Sequence, residues 1–81
     1  MLQEMSKMII PLDENCNWSI DVYTDHVEIS RHNRCVSMEE CSWSSMTTTE
    51  RESVCNRLIK DAMKEYADVP DVSKRPICFE V

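Results

Sequence analysis

Asp21, Glu28 and Glu39 are acids that two successive hairpins would bring side by side, and they have the strongest claim in the chain to a chemical role. Like charges directly across neighbouring strands destabilise a sheet by roughly 0.2–1 kcal/mol per pair. A row of them costs stability unless a cation or a basic partner makes use of it. Asp25 and Glu40 lie close by and would add to the same negative field. Three uses compete for such a row: a solvated face whose repulsion is screened by salt, a docking surface for the lysines and arginines of another protein, or a Ca²⁺ or Mg²⁺ site. A flat row on stiff strands converges poorly on an ion, and the chain has no EF-hand spacing, so no metal is assigned.

Histidine and cysteine form a second set. His26, His32, Cys35 and Cys41 lack the closely spaced pairs of a zinc knuckle or finger. A histidine across a hairpin from Cys35 could activate its thiolate, but His32 and Cys35 lie beside a turn with no evident oxyanion donor. What these residues allow is an alternative function, a small metal- or redox-responsive protein using His32, Cys35 and Cys41. The chain has no glycine, hence no phosphate-cradling loop, and it contains no nucleophile elbow, kinase set or HExxH. The reading is non-enzymatic, without a cofactor.

Trp43 stands in a polar stretch after the third predicted strand. It has two possible roles: an exposed anchor at a protein interface, or a lid that closes the core beneath the helix N-terminus. With the first role in view, the candidate partner-binding set is Asp21, Asp25, Glu28, Glu39, Glu40 and Trp43.

These side chains need a scaffold, and the hydrophobic pattern supplies one. Val54, Cys55, Leu58, Ile59, Ala62, Met63 and Tyr66 recur at three- and four-residue spacing, predicting an amphipathic helix from about Thr47 to Asp68. Thr47 with Glu50, and Thr49 with Glu52, are overlapping capping boxes at its start, and Pro70 marks its end. Arg57–Asp61 and Lys64–Asp68 would pair along its polar side. Upstream, Trp18–Val22 and Val27–Arg31 alternate with period two and predict half-buried strands joined at Thr24–Asp25. Cys35–Glu39 follows as a third strand after an Asn33–Arg34 turn, and Pro76–Val81 as a terminal one. Met8–Leu12 is a further candidate, placed on an edge or ended early by Pro11. In these registers Ile20–Ile29–Met38 and Trp18–Arg31–Val36 line the core, with Arg31 over the Trp18 ring. Asn17–His32–Cys35, Ser19–Ser30–Ser37 and Asp21–Glu28–Glu39 line the other face. The expected fold is α+β: one compact domain over residues 1–81, an antiparallel meander of three to five strands with one helix packed on one face.

A net charge of −6 and a pI near 4.7 disfavour direct binding to nucleic acid or anionic membranes. Five cysteines leave at least one unpaired, and the apolar run Met8–Ile10 is too short for a secretory signal. The chain therefore reads as reduced and cytoplasmic. The function these features favour is a small interaction module, monomeric or homodimeric, that docks an acidic sheet face on a basic protein surface. Such surfaces often belong to nucleic-acid-handling machinery, so an inhibitor competing with nucleic acid is the most concrete form. Short, acidic, motif-poor phage and mobile-element inhibitors, anti-CRISPR proteins among them, share this profile of composition.

Overall fold

A computed structural model describes residues 8–15 and 17–70. Four strands, β1 (Met8–Pro11), β2 (Trp18–Val22), β3 (His26–Arg31) and β4 (Arg34–Glu40), form an antiparallel sheet in the order β1-β2-β3-β4. A short 3₁₀ turn at Trp43–Ser45 leads into the helix α1 (Thr48–Met63), which packs across one face. This is the α+β meander that the pattern of the chain predicts. The predicted strand Pro76–Val81 lies outside the described residues.

The edge strand β1 ends at Pro11, opposite Ser19, where the missing N–H of proline is no loss. The β2–β3 hairpin has the expected register: the Tyr23 amide donates to the His26 carbonyl at 2.8 Å, and Trp18 stands opposite Arg31. Ile10, Trp18, Ile20, Val22, Val27 and Ile29 thereby share one face and are all buried.

The second hairpin departs from the expected register twice. Its turn is His32–Asn33 rather than Asn33–Arg34, with φ of 51° and 66° at the two central residues. A two-residue hairpin turn of this hand needs positive φ at both positions. Histidine and asparagine tolerate that region better than arginine does, which pulls the turn one residue back. A β-bulge then intervenes: Ser30 pairs with Cys35 but Ile29 pairs with Ser37, leaving Val36 as the extra residue. One added residue exchanges the faces of everything beyond it. Met38, expected in the core, points away from the helix and is 49% exposed, while Ser37 and Glu39 turn toward the helix. The turn holds two non-glycine residues in a costly conformation. The double substitution His32→Asn/Asn33→Gly should therefore raise stability by about 1 kcal/mol. A urea midpoint that does not rise would show the turn to be unstrained.

The helix begins as expected. The Thr47 hydroxyl accepts the Glu50 amide at 3.2 Å, and the Glu50 carboxylate accepts the Thr47 amide at 2.8 Å. It ends earlier, at Lys64, where the last bonds tighten to i→i−3 (Lys64 to Asp61, Glu65 to Ala62). Tertiary contacts draw the chain off the helical axis there: the Tyr66 ring packs T-shaped on Trp18 with centres 5.6 Å apart, and Asp68 binds Arg31. The expected i,i+4 ion pairs are accordingly replaced. Arg57 reaches Glu39 on β4, Lys64 lies 3.7 Å from Asp61, and Asp68 serves the sheet. Val54, Cys55, Leu58, Ile59 and Ala62 complete the core, whereas Met63 is half exposed. The Arg31 guanidinium sits 5.9 Å from the Trp18 ring centre, the predicted cation–π contact.

Candidate functional site

The register places a mixed row, not an acidic one, across the middle of the face away from the helix: Ile9–Asp21–Glu28–Met38. Three of the expected docking residues are absorbed by the fold. Asp21 is only 4% exposed, and its carboxylate accepts the Ser19 hydroxyl at 2.8 Å and the Ser30 hydroxyl at 3.0 Å. A buried carboxylate so bonded ties β2 to β3 and offers nothing to a partner. Glu39 lies on the opposite face because of the bulge. Arg57 grips it through both oxygens, at 2.9 and 2.5 Å, and this pairing holds the Glu39 carboxyl below its ordinary pKa. Trp43 is 4% exposed and closes the core beneath the helix N-terminus. The Arg51 guanidinium lies 5.0 Å from its ring centre and donates to its carbonyl. Trp43 is thus the lid rather than the anchor.

Asp25, Glu28 and Glu40 remain, and they gather at one end of the sheet around His26. The alternation of β2 and β3 sets Tyr23 and His26 next to one another on the outer face, their rings stacked at 4.3 Å and 10°. His26 Nδ1 is 2.7 Å from Asp25 Oδ1, its Nε2 is 3.2 Å from Glu28 Oε1, and Glu40 stands opposite it on β4. The Asp25 side chain is 74% exposed, and Glu40 is exposed too. An imidazole held by a carboxylate at each nitrogen is favoured in its charged form, since only the imidazolium donates from both. The hydrogen bond to Asp25, seconded by Glu28, accordingly raises the His26 pKa above its ordinary 6.5 against the opposing effect of burial.

The sign of this linkage fixes a pH dependence. A raised folded-state pKa contributes stability that is fully present below about pH 6.5 and is lost as pH rises through the folded value. His26→Gln should flatten the melting temperature over that window relative to the native chain. An unaltered slope would mean that His26 is not the group titrating. Tyr23 is not among the sequence candidates, and His26 is weighed there only as a metal ligand, not as the centre of the acidic cluster. The readable signal was Asp25 adjoining the histidine and Glu28 two residues on, the same-face spacing of a strand.

His32, Cys35 and Cys41 do not form a site. His32 sits in the hairpin turn, Cys35 at the start of β4 and Cys41 just past its end, so the two thiols are about 20 Å apart along the strand. Burial raises the thiol pKa of Cys35 and of Cys41, and pushes that of Cys55 up to about 12. All three are therefore poor thiolates near neutral pH. Among the described residues no group of three or more His, Cys, Asp or Glu side chains is arranged to hold a metal ion. No helix among them is long and apolar enough to cross a membrane.

Fold and site together define a class: an antiparallel meander under one helix, with carboxylates gathered around a stacked histidine at one end of the sheet. No protein-family model, curated protein or solved structure matches the chain.

Proposed function

We propose that this protein is a non-enzymatic interaction module whose acidic sheet end, Asp25, Glu28 and Glu40 around His26, docks on a basic surface of a nucleic-acid-handling protein and competes with nucleic acid there. The observation that carries this reading is the geometry of that end. Flat rings stacked at 4.3 Å and flanked by carboxylates offer a basic groove the same elements as a nucleic-acid strand, stacked planes edged by anions. The net charge of −6 supports it, because a field of that sign steers the molecule toward basic surfaces and away from phosphate backbones.

The test is affinity capture from the native host with the full chain as bait, at low and moderate salt, followed by competition. A retained protein should be displaced by a short oligonucleotide. It should also be lost when the bait carries Asp25→Lys and Glu40→Lys. Capture that survives the charge reversal would reject docking through this end, and capture indifferent to the oligonucleotide would reject competition with nucleic acid.

A further inference from the structure

At the other end of β3, away from the acidic cluster, Arg31, His32, Arg34, Cys35, Val36 and Tyr66 line a cavity of about 520 Å³. We infer that this cavity is a binding site for a small phosphate monoester carrying a planar ring, with the phosphate held by Arg34 and His32 and the ring laid along Tyr66.

Two independent features converge there. First, Arg31 and Arg34 stand directly opposite one another across the hairpin. Like charges so placed work against the fold, and an anion between them would remove the conflict. Arg31 is already partly neutralised, since its Nε and Nη2 both donate to one oxygen of Asp68, at 3.1 and 3.0 Å. The Arg34 side chain has no such partner: among the described residues neither it nor the His32 imidazole makes a hydrogen bond or ion pair, and His32 is anchored only through its backbone amide, which donates to the Asn17 carbonyl at 2.7 Å. Guanidinium groups present a planar fork that matches phosphate oxygens.

Second, the cavity has an aromatic wall. Tyr66 is 37% exposed, its ring braced by a T-shaped contact with Trp18 at 5.6 Å and by the Arg31 guanidinium at 4.9 Å. Val36, the bulge residue, adds an apolar contact, so the site combines a basic rim with an apolar floor in a volume typical of small-molecule pockets. In a chain of net charge −6 this corner is an exception in sign, and anion binding gives the exception a use.

The test is an amide NMR titration of the full chain at low salt with inorganic phosphate, AMP, O-phosphotyrosine and adenosine. AMP or O-phosphotyrosine should bind saturably, with shifts centred on residues 31–36 and 66, at least ten-fold tighter than inorganic phosphate. Adenosine should bind at least ten-fold more weakly than AMP. The tighter of the two monoesters identifies the source as a nucleotide or a phosphorylated phenol. Arg34→Gln should weaken binding ten-fold or more without lowering the melting temperature, because it also relieves the arginine pair. Tyr66→Leu should abolish the preference for monoesters over inorganic phosphate. Monoesters no tighter than phosphate, shifts centred elsewhere, or full affinity in Arg34→Gln would each overturn the assignment.

Discussion

Trp18→Ala is expected to lower the unfolding free energy by about 3–5 kcal/mol, the range for removing a large aromatic from a closed core. The tryptophan is 1% exposed at the start of β2, and elements distant in sequence converge on it. The Tyr66 ring, set T-shaped to it, and the Arg31 guanidinium lie against its ring, and its Nε1 donates to Asp68 Oδ2 at 3.4 Å. Its removal therefore opens a cavity and also frees the segment after the helix, which Tyr66 and Asp68 pin to the sheet. A domain of this length has a total stability of roughly 4–12 kcal/mol, so the variant should be partly unfolded at ambient temperature. Trp18→Phe should cost clearly less, because it retains an aromatic body and loses only part of the ring volume and the bond to Asp68. Urea unfolding of both variants measures this. A loss below about 1 kcal/mol for the alanine variant would mean that Trp18 is not where the core closes.

The second large effect concerns recognition. Asp25→Lys/Glu40→Lys should weaken partner binding about 100-fold, equivalent to about 2.7 kcal/mol, with a modest fall in melting temperature because Asp25 also bonds His26. Each reversal replaces an attraction by a repulsion on the surface proposed to meet the partner, and both side chains are exposed. Two reversals elsewhere, Glu52→Lys on the helix and Glu65→Lys just past its end, change the net charge equally and serve as the control. If both double variants lose affinity alike, only the overall charge matters and the location of the docking end is wrong. Titration calorimetry against the captured partner, at two salt concentrations, distinguishes these outcomes.

The contrast between the legible and illegible parts of the chain comes down to distance along it. The helix start, the β2–β3 register and the Arg31–Trp18 contact follow from patterns within a few residues: a Thr47–Glu50 box, period-two alternation, a two-residue turn. The helix end was not legible, because Tyr66 and Asp68 are drawn away by Trp18 and Arg31 from strands far back in the sequence. The fate of Glu39 was not legible either. It depended on a turn shifted by one residue and a bulge at Val36, and each of these acts on every later position in the strand. For the same reason an expected row of Asp21, Glu28 and Glu39 became a cluster of Asp25, Glu28 and Glu40. Most of that site was within reach, since the spacing of Asp25, His26 and Glu28 is local and only Glu40 needed the bulge.

Strand β3 begins at His26 among carboxylates and ends at Arg31 beside the unpaired Arg34, about 17 Å away. Opposite signs at the two ends of a rigid rod make it a compass needle. In the field of a basic surface the carboxylate end is pulled and the arginine end pushed, so the molecule experiences a torque as well as an attraction. Within about a Debye length, roughly 8 Å at physiological salt, that torque turns it before any side chain touches. In the docking proposed above, fewer collisions would then arrive in the wrong pose, and the association rate would gain what no single contact supplies.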